Sequence, residues 1–166
     1  MNTITSPLSP TERSTVNRYR DRAATERQTL YDVLDAGLVC HVGFVVDGAP
    51  VVLPSVYGRD GNTLYMHASR GARSARLFEQ EVPICVTVTR LDGIVYARAV
   101  YHNSVNYHSA IIHGNGLLLQ DEEAKKAGLK VMAEHMAPGA WDYGNEPDSR
   151  ELARVAVMSV DLTEAS

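Results

Sequence analysis

Apolar and polar residues alternate over most of the middle of the chain, which is the pattern of half-buried β-strands. Every second residue in 38–46 is apolar, and the Asp47-Gly48 pair that follows suits a tight hairpin turn. The same two-residue period recurs in six further segments, 50–57, 63–67, 82–89, 94–101, 107–119 and 154–162. Leu91-Asp92-Gly93 is predicted to form the turn between two of them. Gly114 and Gly116 interrupt the longest segment, as expected where a barrel strand bends.

A period near 3.6 residues predicts three helices. The first begins at the N-cap Thr25 and ends before Gly37, which suits a left-handed C-terminal cap. The second begins after the N-cap Asp121 and runs to about Met136, with two glutamates in its first turn that match the helix dipole. The third is short and covers residues 72–80.

Strands joined by hairpins favour a mainly β fold with helices, a barrel of about six antiparallel strands. A parallel dinucleotide-binding fold is not supported, because crossover helices and a Gly-x-Gly-x-x-Gly motif are both missing from the sequence. Residues 1–17 are rich in Thr, Ser and Pro and are predicted to form a flexible arm. Residues 18–166 are predicted to form a single domain.

Composition narrows the function classes. The net charge of −4 argues against a nucleic-acid or anionic-membrane partner. No apolar run approaches the length of a membrane span, and the N-terminus lacks a signal-peptide pattern, so we expect a soluble cytoplasmic protein. Cys40 and Cys85 lie in apolar strands without metal-ligand spacing and are expected to be reduced core residues. The basic segment 18–22 is expected to be solvated.

Three arginines, Arg70, Arg73 and Arg76, stand where a predicted strand ends and a predicted helix begins. A helix N-terminus is already positive, so these side chains cost stability there unless an anion lies among them. Ser69 and Ser74 add hydroxyls suited to a phosphate. A solvated basic turn is the alternative interpretation.

Two other features point to binding. Pro54 falls inside a predicted strand and, because it cannot donate to a ladder, indicates an edge, a bulge or an opening in the sheet. Residues 101–109 form a polar stretch between two strands, which is either a simple connection or a binding loop. Metal ligation by His102 or His108 is disfavoured, since the histidine spacings match no known metal-site pattern.

Nucleophilic catalysis is also not indicated, because the sequence lacks the Gly-x-Ser-x-Gly motif of a nucleophile elbow.

Taken in order, these residues resemble the pyridoxamine 5′-phosphate oxidase-like, FMN-binding split barrels, especially the branch that includes nitroimidazole-resistance proteins. The resemblance covers residues 18–165. It rests on the segments 42–44, 47–48, 54–57, 64–69, 91–93 and 102–109, on Arg73, and on Trp141 ahead of Glu151-Leu152.

The resemblance implies a split β-barrel that forms a homodimer, with FMN bound at the subunit interface. It assigns the phosphate to Ser69, Arg73 and Ser74, and the isoalloxazine ring to Pro54, Ser55, Val56 and Tyr57. Asn106, Tyr107 and Ser109 would contact the flavin or its ribityl chain, and Trp141 is expected to come from the partner subunit. Several relatives carry lysine where this chain has Ser74, so phosphate anchoring is also expected from Arg70 or Arg76.

His67 corresponds to a strand-end histidine near the active site of the nitroimidazole-resistance branch, which makes it the candidate catalytic residue; a hydrogen-bonded residue at the barrel rim is the alternative. The leading hypothesis is an FMN-dependent oxidoreductase that passes electrons from a nicotinamide donor to a small acceptor such as a nitro compound or a quinone. The alternatives are a flavin carrier or sensor, a relative that binds the deazaflavin F420, and a haem-handling barrel with His102 or His108 as the axial ligand.

Overall fold

The computed structural model describes residue 8 and residues 11–72, 75, 78–79 and 81–166. Within them, eight strands form one antiparallel sheet in the order β6-β7-β3-β2-β1-β4-β5-β8. The strands are β1 Val39–Val46, β2 Ala49–Asp60, β3 Thr63–Ser69, β4 Pro83–Val95, β5 Ser104–Asn115, β6 Leu117–Leu118, β7 Val155–Asp161 and β8 Glu164–Ala165. The predicted mainly β, antiparallel fold is confirmed.

The two ends of this sheet meet, so that it closes into a barrel. β6 continues β5 beyond Gly116, and β8 continues β7 after two residues. β5 pairs with β8, while β6 pairs with β7. Counting each two-residue strand with its longer neighbour gives a barrel of about six strands, as the sequence predicted.

The helices whose bounds lie within the described residues are α1 Arg27–Ala36, α2 Glu122–Met136, α3 Ala140–Tyr143 and α4 Ser149–Arg154, with short 3₁₀ turns at Arg20–Arg22 and Val100–His102. Asp121 caps α2 as predicted, since its carboxylate accepts a hydrogen bond from the Ala124 N–H at 2.9 Å. Thr25 is not the N-cap of α1; Glu26 occupies that position and makes no side-chain capping bond.

The prediction of a left-handed cap at Gly37 is also wrong. Its φ is −92°, which is extended backbone open to any residue. Space explains the glycine instead, because a Cβ there would lie 2.6 Å from the Tyr57 hydroxyl and 2.7 Å from a methyl of Val88. Gly37 therefore lets the end of α1 lie directly against the barrel.

The hairpin of β4 and β5 differs from its prediction. Leu91-Asp92-Gly93 is not a turn, because β4 continues to Val95 with a register shift between Leu91 and Gly93. Residues 96–103 make the connection instead. β1 pairs with β4 only at Cys85, Val86 and Thr87. Residues 90–109, the outer hairpin, therefore extend past β1 as a two-stranded arm.

Several sequence predictions fall on residues outside the described part of the chain. Most of the predicted helix at 72–80 does, although Ala75 and Phe78 are described and buried. So do residues 1–7, 9 and 10 of the predicted N-terminal arm. The rest of that arm contacts the barrel, where Thr11 and Arg13 both bind the carboxylate of Glu164.

No helix in the described ranges is both long and apolar enough to span a bilayer.

Candidate functional site

The barrel opens between β2 and β3. Residues Ala49–Val56 of β2 pair with β1, and β2 pairs with β3 only from Tyr57 onward. The last three residues of β3, His67 to Ser69, pair with β7 alone. Pro54 lies on β2 beside this gap, where the missing N–H of proline breaks no ladder. The sequence left three explanations for Pro54, an edge, a bulge or an opening in the sheet. The structure shows that Pro54 lies beside an opening.

A narrow cleft, here the split cleft, lies in this gap. Its rim is formed by Leu53, Pro54 and Ser55 of β2 and by His67 and Ala68 of β3. Its floor is apolar and consists of Val42, Phe44, Met66, Phe78 and Met158. The enclosed volume is about 60 Å³, well below the roughly 300 Å³ of a typical ligand pocket. A planar ligand would therefore lie across the mouth of the split cleft and need a second wall.

The end of β3 carries the described part of the predicted phosphate site. His67 and Ser69 are exposed on the same face of the strand, since alternate residues of a strand share a face. Arg70 follows with its side chain exposed, while its backbone N–H donates to the Arg154 carbonyl at 2.9 Å. Arg73, Ser74 and Arg76 lie outside the described residues.

The remaining predicted contacts on β2 face different surroundings. Ser55 is half-buried and donates its hydroxyl hydrogen to the carbonyl of Val56 at 2.9 Å. Val56 is half-buried and pairs with Val39. Tyr57 is fully buried, and its hydroxyl donates to the Leu34 carbonyl at 2.6 Å. Burial raises the pKa of Tyr57. The Tyr57 side chain is therefore part of the core, and only its backbone is near the opening.

Asn106, Tyr107 and Ser109 line a second, larger cleft, here the arm cleft, which has a volume of about 580 Å³. It lies between β5, α1 and the segment that precedes α1. Among its other lining residues are Val16, Arg18, Tyr19, Arg22, Val33, Asp92, Val105, His108 and Ile111. The split cleft and the arm cleft share no lining residue. Within one chain, the predicted flavin contacts therefore form two separate groups.

A polar cluster crosses the outer hairpin beside the arm cleft. The Nδ1 of His108 lies 2.6 Å from Oδ2 of Asp92, and the Arg90 Nε donates to Oδ1 of the same carboxylate at 2.9 Å. Burial alone would raise the pKa of Asp92, but the hydrogen bonds from His108 and Arg90 together hold that pKa below its ordinary value. In the ladder Arg90 is opposite His108, and Asp92 is the unpaired residue of the bulge between Leu91 and Gly93, from which its carboxylate reaches the His108 ring.

Two guanidinium groups stand at the edge of the arm cleft. Arg18 and Arg22 stack on the ring of Tyr19, with their Cζ atoms 4.8 and 4.6 Å from its centroid. Tyr19 has a φ of 55°, a left-handed conformation that is uncommon for a residue other than glycine. In the described part of the chain, no carboxylate forms an ion pair with either arginine.

Trp141 lies in neither cleft. It is half-buried on α3, and its backbone N–H donates to Oε1 of Glu134 at 2.9 Å. Its predicted role, as a contact from the partner subunit, stays a prediction.

Sequence reasoning missed the edge of the arm cleft and the partner of His108. Arg18 and Arg22 are exposed, as predicted, but their position at a cleft was not predicted, and Asp92 was assigned to a turn. Neither relation has a local signal in the sequence, because each depends on how distant segments pack. An Asp-Gly pair within an otherwise apolar strand was the one available hint of a bulge.

Comparison with known families gives a match over residues 26–166 to the family model described as pyridoxamine 5′-phosphate oxidase. The chain belongs to the pyridoxamine 5′-phosphate oxidase family. A search of the curated proteins gave no match.

Solved structures with the same fold include members that bind flavin and haem. The flavocytochrome Anf3 from Azotobacter vinelandii is 33% identical, with a TM-score of 0.87 over 96% of this chain and 74% of that one. The FAD and haem binding protein from Mycobacterium smegmatis is 32% identical, with a TM-score of 0.77 over 82% of this chain and 66% of that one.

A protein from Bacteroides thetaiotaomicron, described as a candidate 5-nitroimidazole antibiotic resistance protein, is 22% identical, with a TM-score of 0.66. The match covers 84% of this chain and 81% of that one. At 22% identity this likeness shows the fold alone. The predicted resemblance to pyridoxamine 5′-phosphate oxidase-like split barrels is confirmed.

Proposed function

We propose that this member of the pyridoxamine 5′-phosphate oxidase family is a flavin-dependent oxidoreductase. It would pass electrons from a nicotinamide donor to a small acceptor such as a nitro compound or a quinone. The observation that carries the proposal is the gap between β2 and β3, which exposes an apolar floor beside Pro54 and ends at Ser69 and Arg70. This arrangement suits a flat ring joined to a phosphate.

The residues present fit such a group. The apolar floor of the split cleft excludes water from one face of a ring, and the unpaired backbone of β2 offers hydrogen-bonding groups at its edge. Ser69 and Arg70 are exposed at the end of β3 and would hold the phosphate together with Arg73. A bound flavin supplies the redox chemistry, while the protein positions the ring and limits access to it. His67 on the rim would hold or release a proton next to the ring.

The nucleotide that we propose is FMN, as the resemblance implies. FAD is the alternative that the name of the Mycobacterium smegmatis relative supports. Acid release of the cofactor followed by chromatography separates the two, because only FAD carries an adenosine moiety.

We also propose a homodimer with the flavin sites at the subunit interface. Three observations support it. The split cleft is shallow and needs a second wall, and the other predicted flavin contacts, Asn106, Tyr107 and Ser109, lie in a different cleft. The outer hairpin is also rich in exposed apolar side chains, among them Ile94, Tyr96 and Tyr101.

The absorption spectrum of the protein as purified tests flavin binding. A flavin spectrum that is bleached by NADH or NADPH without oxygen, and recovers when a nitro compound or quinone is added, supports the enzyme. A flavin spectrum that no nicotinamide bleaches indicates a carrier or sensor. The absence of a flavin band, with no binding of added FMN or FAD, would contradict the proposal.

Replacing Arg73 with Ala tests the phosphate assignment. We expect the variant to lose most of its flavin on gel filtration, because one charge-assisted contact to phosphate is removed. R150A, which changes an exposed arginine on α4, is the control and should keep its flavin. Unchanged occupancy in the Arg73 variant would count against the assignment.

Haem is a second group that we propose for this chain. The arm cleft is large enough for a cofactor, and its mixed lining includes apolar side chains, two arginines and a histidine. The names of the relatives from Azotobacter vinelandii and Mycobacterium smegmatis also support haem binding. A Soret band in the purified protein, or after titration with hemin, tests this second proposal.

A further inference from the structure

His108 differs from the other five histidines in what its ring contacts. Its Nδ1 lies 2.6 Å from Oδ2 of Asp92, and within the described residues no other histidine forms a hydrogen bond or ion pair with a carboxylate. Histidines that bind metals almost always give their second ring nitrogen to a carboxylate, a carbonyl or water, which fixes the tautomer and the ring orientation. In His108 that nitrogen is already engaged.

The carboxylate of Asp92 sets the tautomer of His108. A carboxylate can only accept, so Nδ1 carries a hydrogen, and in the neutral ring Nε2 then carries the lone pair. Arg90 Nη2 also lies near Nδ1, at 3.2 Å, but a guanidinium can only donate and cannot share that hydrogen. The shorter carboxylate contact therefore decides the arrangement. Arg90 Nε in turn holds Asp92 in place through Oδ1.

The other candidate from the sequence, His102, lacks this support. It is exposed on the connection of the outer hairpin and packs edge-on against Tyr101, with the ring centroids 5.3 Å apart. His135 uses its Nε2 to contact the Gly37 carbonyl at 2.6 Å. Neither ring is prepared to offer a lone pair to a metal in the arm cleft.

The walls of the arm cleft suit an amphipathic macrocycle with carboxylate arms. Val16, Val33, Val105 and Ile111 supply apolar surface around a volume of about 580 Å³. Arg18 and Arg22 lie at the same cleft and stack on Tyr19 rather than on a carboxylate of the described chain. Two guanidiniums beside an apolar cleft match the two propionates of haem.

We propose that the arm cleft is the haem site, with His108 as the axial ligand through Nε2, Asp92 as its positioning residue, and Arg18 and Arg22 as partners of the propionates. This inference rests on the proposed haem function. It adds the location of the haem and the ligand that holds its iron, and it separates the haem site from the split cleft.

The test compares the full-length protein with H108A after hemin titration, using absorption and electron paramagnetic resonance spectra. We expect H108A to lose the wild-type Soret maximum and its low-spin or high-spin signature, and H108G to regain histidine-like spectra when imidazole is added. H102A, the matched variant on the same hairpin, should keep the wild-type spectra. Wild-type spectra in H108A, or their loss in H102A but not in H108A, would overturn the assignment.

Two further variants separate ligation from positioning and from anchoring. D92N should weaken hemin binding by roughly 10–100-fold and shift the iron–histidine stretching frequency in the resonance Raman spectrum, because a neutral amide oxygen is a weaker acceptor for the ring than a carboxylate. R18A/R22A should weaken hemin binding while leaving the axial-ligand spectra unchanged. An unchanged stretching frequency in D92N, or unchanged affinity in R18A/R22A, would contradict the corresponding role.

The outcomes also separate this inference from the functions on which it rests. If wild-type protein binds hemin and H108A does so identically, the haem proposal stands and the site assignment fails. If wild-type protein binds no hemin, both fail. Flavin absorbance is read in the same samples, and it shows whether a variant has also disturbed Asn106, Tyr107 and Ser109, the proposed flavin contacts that line the same cleft.

Discussion

Glu164 shows how one carboxylate fastens a terminal segment to a barrel. It lies on β8 and accepts hydrogen bonds from the Thr11 hydroxyl and from Nε and Nη2 of Arg13, the latter two at 2.7 and 2.6 Å. These bonds, that of Arg13 first and that of Thr11 second, lower the pKa of Glu164 to about 2. The ionised form is therefore favoured in the folded state.

The stability that Glu164 contributes should depend on pH. Its folded-state pKa is lowered, so this contribution is fully present above the ordinary glutamate pKa of about 4.3 and is lost as the pH falls through the folded value. We expect the difference in free energy of unfolding between wild type and E164Q to shrink as the pH is lowered from about 5 to about 2. Urea denaturation at successive pH values measures it. E12Q, at an exposed glutamate of the same segment, should show no such trend, and a constant difference for E164Q would contradict the argument.

A substitution at Tyr57 can distinguish a role in the hydrophobic core from a role in cofactor binding. Y57F removes the hydrogen bond to the Leu34 carbonyl and leaves that buried acceptor without its donor. We expect a loss of about 1 kcal/mol in the free energy of unfolding, with flavin occupancy unchanged. Y101F, at a side chain that is 92% exposed, is the matched control and should leave stability unchanged within about 0.5 kcal/mol. Loss of flavin from a folded Y57F would show that the hydroxyl serves the cofactor.

At the scale of elements, α2 lies unusually close to β2. A Cβ on Gly58 would come within 2.7 Å of the Val131 carbonyl oxygen and 2.8 Å of the Met132 Cα, both of them backbone atoms of the helix. A flexible side chain could move aside, but a helix backbone cannot do so without shifting the whole element. The absence of a side chain at this position therefore sets the distance between helix and sheet.

Gly58→Ala should consequently force α2 away from the sheet. We expect the free energy of unfolding to fall by about 1–3 kcal/mol, the usual cost of overpacking, and the melting temperature to fall with it. Gly43→Ala is the control, because a Cβ there meets only ordinary contacts at 3.5 and 3.9 Å. Equal melting temperatures for the two variants would refute the close-approach argument.

The elements also show which parts of the fold can be predicted from sequence. The hairpin at Asp47-Gly48 and the start of α2 at Asp121 depend on residues a few positions apart, and both predictions are confirmed. Asp92 and Gly37 could not be interpreted in this way. Asp92 is the unpaired residue of a bulge and contacts His108 across the hairpin, and Gly37 lies where a Cβ would meet Tyr57 and Val88. Long-range packing decides such positions, and one sequence does not record it.

At the scale of the whole molecule, the residues predicted to contact flavin lie at two separate places. Pro54 and His67 do border one opening, and Asn106 and Ser109 do line a cleft. No pattern in the sequence indicates two separate clefts. β1 and β4 lie between β2 and β5 in the sheet, so the two groups belong to different strands of the barrel. An isologous dimer would bring the split cleft of one protomer to the β5 residues of its partner.

Mixed dimers test this arrangement directly. R70A/R73A damages the phosphate side of the site, and N106A/S109A damages the β5 side, so each variant alone should lose its flavin. In a mixed dimer, isolated through two different affinity tags, one site carries both defects and the other carries none. We therefore expect one flavin per mixed dimer, against two in wild type, because a two-fold axis makes each site from both chains.

A site built within one chain predicts a different result, because every chain in the mixed dimer then carries a defect and no flavin binds. Recovery of one flavin per dimer thus requires residues from both subunits. Sedimentation of each variant, performed first, confirms that dimers form, since a variant that stayed monomeric could lose its flavin for that reason alone. A wild-type protein that sediments as a monomer with full flavin occupancy would rule out the shared site.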